Sequence, residues 1–130
     1  MDALKIDSTA IVPLALAVLI PLLPDGALAA VQADQSREYR QPERVWFDAA
    51  RILLRLGCYL GEPKIEAHGD GVMLLYTATD GGEFGIKVFD RKATAWWRFD
   101  VAGLLVADGE EDDFGRLALV ALKMTGKERP

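Results

Sequence analysis

The sequence is poor in several residue types on which protein chemistry depends. Its 130 residues include one cysteine, Cys58, and one histidine, His68. A single cysteine excludes an internal disulfide framework and a thiolate zinc cluster, and a single histidine leaves little material for a histidine-rich metal site. We therefore expect no metal and no cofactor. Because no third orienting group accompanies Cys58 and His68, we also expect no catalytic residue and no enzyme.

Basic side chains are outnumbered by acidic ones. The chain has 15 lysines and arginines against 20 aspartates and glutamates, which gives a formal net charge of −5. A nucleic-acid-binding protein needs a basic face to neutralise phosphates, so we expect no nucleic-acid partner. Hydrophobic residues make up 51% of the chain, which argues against intrinsic disorder. The length fits one domain.

Aromatic residues are missing from the first 38 positions, since all eleven lie at Tyr39 or later. Aromatic side chains bring large buried areas to a core. We therefore predict a small packed domain over residues 39–130. Residues 1–38 are predicted to be a separate apolar N-terminal arm or signal-like segment.

That segment also lacks charge from Ser8 to Pro24, and three interpretations compete for it. A secretory signal peptide would be cleaved after Ala29, where Ala27 and Ala29 give the small-x-small pattern of a cleavage site. A membrane helix needs about 20 apolar residues, and the Pro-Asp-Gly turn that begins at Pro24 ends the run too early. The favoured interpretation is a retained arm of two short helices, over residues 14–23 and 27–35, that packs on a partner.

Localisation follows from the same choice. A retained arm predicts a cytoplasmic protein, whereas cleavage predicts an exported periplasmic or extracellular one. Membrane contact is expected only if residues 10–24 act as a signal or an anchor.

The most regular pattern in the chain is a helix that ends at Leu60. Proline at position 42 suits its first turn, and apolar residues recur at three- and four-residue spacing up to Leu60. The Gly-Glu-Pro stretch that follows ends the helix, because proline cannot continue it.

Four short β-type runs follow, separated by turn residues: 64–68, 72–79, 83–90 and 94–100. Connections this short force antiparallel neighbours, so we predict a four-stranded meander. Residues 101–107 are ambiguous between a short helix and a fifth strand.

Asp108 and Gly109 are interpreted as breakers after that ambiguous segment, and a closing helix is predicted over residues 110–124. The four acids at positions 110–113 would then complement the dipole at the start of this helix. The predicted fold class is α+β: an N-terminal apolar helical arm, a helix, a four-stranded antiparallel meander and a closing helix.

Trp96 and Trp97 are the most informative pair. Neighbours in a strand face opposite sides, so one tryptophan should enter the core and the other should not. Tryptophan and arginine are enriched where proteins meet, and Arg98 shares the face of Trp96. The predicted partner contacts are therefore Trp96 and Arg98, together with apolar residues of the arm, which are Leu16, Leu19, Ile20 and Leu23.

With the arm, the chain has more apolar residues than the core of a domain of this size needs. Exposed apolar segments usually indicate association with another protein. We therefore expect a small acidic protein-interaction module, such as an adaptor, a secretion-chaperone-like protein or an inhibitor, which binds another protein or itself. The outline resembles secretion chaperones in architecture alone, with no motif. The alternative is an exported small domain whose signal peptide is cleaved after Ala29.

Overall fold

A computed structural model describes residues 21, 23–38, 40–90 and 93–127 of the chain. Three helices and five strands lie within them. The helices are α1 (Asp25–Gln35), α2 (Glu43–Leu60) and α3 (Phe114–Thr125). The strands are β1 (Lys64–His68), β2 (Gly71–Thr77), β3 (Glu83–Phe89), β4 (Thr94–Phe99) and β5 (Leu105–Glu111). The protein is therefore α+β.

The five strands form one antiparallel sheet in the order of the sequence, from β1 to β5. Short turns with glycine and aspartate join β1 to β2, β2 to β3 and β4 to β5, as expected for hairpins. The register sets Leu74 opposite Ile86 and Ile86 opposite Trp96. Because side chains alternate between the two sides of a strand, this register gives the sheet one apolar face toward the helices.

The core lies between that face and the helices. Its sheet side is formed by six buried side chains of β2 and β3: Val72, Leu74, Tyr76, Phe84, Ile86 and Val88. Helix α2 contributes a stripe of apolar residues, and α3 contributes Leu117 and Ala121. Each large side chain removed from water stabilises the fold by about 1.5–3 kcal/mol. Among the residues that the structure describes, the buried hydroxyl of Tyr76 has no hydrogen-bond partner, and burial raises the pKa of this phenol.

The fifth strand corrects the predicted four-stranded meander. Residues 101–103 form a turn, and the chain then extends as β5 through Asp108 and Gly109, which were predicted to be breakers. The reason is a contact from the neighbouring strand. Gly109 pairs with Trp96, whose indole lies where a Cβ at position 109 would be, 2.9 Å from the ring. A glycine here admits the tryptophan.

The start of the closing helix is also corrected, because α3 begins at Phe114 and not at Glu110. Glu110 and Glu111 belong to β5, so they do not lie in the first turn of a helix. Asp113 alone serves as the N-cap, where its side chain accepts a hydrogen bond from the backbone N–H of Arg116 at 3.0 Å. This bond lowers the pKa of Asp113.

The predicted arm is described only in its second part. Helix α1 starts at Asp25, close to the predicted start at residue 27, while most of the first predicted helix lies outside the described residues. Ala27, Ala30 and Val31 are buried and belong to the same apolar core as α2. Helix α1 therefore packs within the fold, on the side of β1.

Candidate interaction surface

The two edges of the sheet differ in how they are covered. At the β1 edge, the segment between α1 and α2 supplies donors to backbone carbonyls. The guanidinium of Arg37 donates to the carbonyl of Ala67 at 2.5 Å, and the amide of Gln41 donates to the carbonyl of His68. Side chains thus occupy hydrogen-bonding positions that an added strand would need.

A buried carboxylate holds this covering segment in place. Asp34, at the end of α1, is fully buried. One of its oxygens accepts hydrogen bonds from the backbone N–H of Gln41 at 2.9 Å and from the indole N–H of Trp46 at 2.8 Å. Asp34 thereby joins α1 to the start of α2. The segment that covers the β1 edge is thus anchored to the buried interior through Asp34.

The β5 edge is different, because β5 has no second strand neighbour among the residues that the structure describes. Alternate residues of an edge strand direct their N–H and C=O groups away from the sheet. A β-bulge interrupts the pairing near the start of β5, where Arg98 faces Ala107 and Phe99 faces Leu105. Val106 falls between these two pairs. Beyond the bulge the strand is regular up to Glu111.

Apolar side chains concentrate at the start of this open edge. Of the seven large apolar side chains that the described residues expose, four lie between positions 101 and 106. We call these four the hairpin patch; they are Val101 at 71% exposure, Leu104 at 67%, Leu105 at 54% and Val106 at 60%. The remaining three are spread over α2 and α3. Clustered apolar exposure of this kind marks interaction sites.

The turn that displays the hairpin patch is well ordered by hydrogen bonds. The carboxylate of Asp100 accepts from the backbone N–H groups of Ala102 and Leu104, both at 2.9 Å. The N–H of Asp100 donates to the carbonyl of Leu104, also at 2.9 Å. Gly103 supplies the left-handed conformation that the turn requires, with a φ of 87°. The apolar side chains are therefore held in place by their own turn.

Arg98 fastens the same hairpin to the rest of the fold. Its Nε donates to the carbonyl of Met124 at 2.6 Å, and its Nη2 contacts the carboxylate of Asp80 at 2.8 Å. Its third contact is with the carbonyl of Phe99. The backbone N–H of Gly82 and this arginine lower the pKa of Asp80. The contacts of Arg98 are thus internal.

The tryptophan pair lies as alternation predicts, one residue on each side of β4. Trp96 packs against the core, while Trp97 lies on the opposite face of the sheet. There its indole covers Gly85, at the place where a Cβ would overlap the ring, and its N–H donates to Glu83 at 2.9 Å. Partner contact by Trp96 and Arg98 stays a prediction, and their internal contacts weigh against it. Both tryptophans are half-buried.

The other predicted contact residues are only partly described. Leu16, Leu19 and Ile20 lie outside the described residues. Leu23 is half-buried against the core and lines a cleft between the start of α1 and the end of α2. The sequence reasoning missed the hairpin patch, although its signal was visible as an apolar run over residues 101–107.

Cys58 and His68 lie far apart. His68, the last residue of β1, lies near the start of α2, whereas Cys58 lies near the end of that helix. The carbonyl of His68 bonds to Gln41, just before the helix starts, while Cys58 is exposed in its last turn. At 1.5 Å per residue, the helix separates them by about 22 Å. The imidazole of His68 lies 3.0 Å from the carboxylate of Glu66, and this contact, with that of Lys64, lowers the pKa of Glu66. The described part of the chain brings no three histidine, cysteine or acidic residues together as a metal site.

Neither a protein-family model, nor a curated protein, nor a solved structure matches this chain. Among the helices described here, none is long and apolar enough to cross a membrane.

Proposed function

We propose that the chain is a small protein-interaction module without catalytic activity, and that it binds an extended segment of a partner protein along the β5 edge. The observation that carries this proposal is the hairpin patch at the start of an edge strand that has no second strand neighbour among the described residues. In strand addition, backbone hydrogen bonds supply affinity and side-chain contacts supply specificity. Strand β5 offers both within seven residues.

The charge of β5 indicates what kind of segment would bind. Its second half contains three acids and no basic residue. Asp108 is exposed, whereas Glu111 is paired with Arg116 at 3.0 Å. Opposite charges across a strand pair stabilise it, whereas like charges destabilise it. We therefore expect a partner strand that is apolar where it faces the hairpin patch and carries lysine or arginine where it faces Asp108.

Self-association through this edge is disfavoured by the same charges. Two parallel copies of β5 would set acidic residues against acidic residues. Two antiparallel copies would set the apolar start of each strand against the acidic end of the other. A basic segment from a different protein avoids both conflicts, so it is the occupant that we propose.

The experiment is a photo-crosslink from the middle of the hairpin patch. A benzophenone side chain replaces Val106 in the full chain, which is then irradiated in an extract of its native cells. We expect one main adduct, whose linked peptide is an extended segment containing basic residues. A benzophenone at Gln32, which is exposed on α1, serves as the position control and should give no such adduct.

Competition by unlabelled protein makes the result specific. Excess wild-type chain should reduce the adduct about tenfold. The control variant Leu119→Lys, which places a lysine at an exposed apolar residue of α3, should compete equally well. Val106→Lys should not compete, because a lysine on an edge strand opposes strand addition and repels a basic partner. Equal competition by Val106→Lys, or an adduct with a second copy of this chain, would contradict the proposal.

Export with cleavage after Ala29 remains the alternative. That peptide bond lies inside α1, and cutting it would separate Ala27 from the core in which it is buried. The mass of the protein isolated from its native cells distinguishes the two. Loss of residues 1–29 would show that export is correct and that α1 is not retained whole.

A further inference from the structure

A second surface lies on the helical layer, away from the hairpin patch. A groove of about 720 Å³ runs between α2 and α3. The two helices run in the same direction along it, because the guanidinium of Arg51 lies 4.5 Å from the ring of Phe114 at one end, and Lys127 donates to the carbonyl of Leu60 at 3.2 Å at the other. The groove therefore lies between two helices that run in the same direction.

The lining of the groove combines an apolar floor with two cations. The α3 side is formed by Phe114, Gly115, Ala118 and Leu122, and the α2 side by Arg51, Leu54, Arg55 and Tyr59. Small residues at positions 115 and 118 leave room for another chain. Tyrosine and arginine beside apolar pockets are typical of the residues that dominate binding energy.

The charge of the groove contrasts with that of the protein. The chain as a whole carries −5, yet both charged residues that line the groove are arginines. Asp48 lies 3.8 Å from Arg51, which also lines a neighbouring cleft together with Asp112 and Asp113. The backbone N–H of Arg116 is the main cause that lowers the pKa of Asp113, and Arg55 adds to it. Arg55 extends the positive charge along the exposed side of α2.

We propose that this groove binds an acidic amphipathic helix of a partner protein. Arg51 and Arg55 are four residues apart, which is about 6 Å along a helix. Two acids at the same spacing on a second helix would face both arginines, while the apolar stripe of that helix would enter the groove. A single carboxylate, as on a fatty acid, would use only one arginine. This inference does not depend on the proposed function of β5, because the two surfaces share no residue.

The test uses two designed helical peptides and the full chain. The first peptide has leucines spaced i, i+3, i+7 and two glutamates spaced i, i+4 along the flank of that stripe; the second has lysines in place of the glutamates. Fluorescence anisotropy measures binding at low salt. We expect the glutamate peptide to bind at least about tenfold more tightly than the lysine peptide.

Two charge reversals on α2 locate the binding. Arg55→Glu should weaken binding of the glutamate peptide by about tenfold or more. The matched control is Arg44→Glu, on the same helix outside the groove, where Arg44 pairs with Asp90 at 2.8 Å. It should change binding less than about twofold. Ala118→Phe, which fills the groove, should block binding while its circular dichroism spectrum stays native.

Three results would overturn the inference. The first is equal binding of the two peptides, and the second is an equal loss with Arg44→Glu and Arg55→Glu, which would reveal attraction to the whole helix. The third is saturable binding of decanoate that Arg55→Glu weakens as much as it weakens peptide binding. That result would assign the groove to a small anionic amphiphile instead.

Discussion

The two edge strands of the sheet differ in how their backbone groups are covered. At β1, α1 lies alongside, and Arg37 and Gln41 donate to strand carbonyls. At β5, the described chain provides no such cover, and apolar side chains stand at the start of the strand. Natural sheets usually protect their edges. The described chain protects the β1 edge with side chains held by a buried carboxylate, and we propose that the other edge, apolar at its start, is the one that binds a partner.

The largest expected effect is the loss of stability when the covered edge is damaged. Asp34→Ala would leave the N–H of Gln41 and the indole N–H of Trp46 without their acceptor in a buried position. We expect a loss of about 2–4 kcal/mol in the free energy of unfolding, since each buried unsatisfied group costs about 1–3 kcal/mol. Urea unfolding measures it.

The matched variant on the open edge is Asp108→Ala. Asp108 is exposed, so the same substitution should change stability by no more than about 0.5 kcal/mol. Similar losses for the two variants would remove the distinction between the edges.

An intermediate effect is expected at the turn that displays the hairpin patch. Asp100→Ala removes the acceptor of the Ala102 and Leu104 N–H groups. We expect a loss of about 1 kcal/mol, because water can replace part of these bonds at an exposed turn. Amide exchange in residues 101–105 should accelerate more than in β1. Unchanged exchange at the turn would show that other contacts hold the hairpin patch.

The smallest effect is a change in acid sensitivity. Hydrogen bonds from Gly82 and Arg98 lower the pKa of Asp80, so the ionised carboxylate is favoured in the folded state. That contribution is present above the unfolded pKa of about 3.9 and is lost as pH falls through the lower folded value. Asp80→Asn should therefore show a smaller drop in melting temperature between pH 6 and pH 3 than the wild type. An equal drop would place the acid sensitivity in other carboxylates.

Local signals predicted much of the described fold. The ends of β1 are as predicted, and α2, β2, β3 and β4 differ from prediction by one or two residues at an end. Helix periodicity and glycine–aspartate turns act over a few residues, so one sequence suffices to read them. The opposite faces of Trp96 and Trp97 followed from alternation alone.

The misses have a common physical cause. Asp108 and Gly109 look like a turn locally, yet they extend because Gly109 accommodates the indole of Trp96 from the next strand. Because Asp108 and Gly109 were interpreted as breakers, the acids at positions 110 and 111 were assigned to the helix that follows. A contact between distant residues decided both, and periodicity within a short window does not contain it. A fifth strand was one of two alternatives for residues 101–107, whereas its continuation to Glu111 and the hairpin patch were not predicted.

The most direct measurement of the central claim is hydrogen–deuterium exchange of the full chain, alone and bound to the partner identified by crosslinking. If the partner adds a strand to the open edge, those amides of residues 104–111 that point away from β4 should exchange at least about tenfold more slowly in the complex, while those of β1 stay unchanged. Protection that appears at β1 and α1, with residues 104–111 unaffected, would contradict the account.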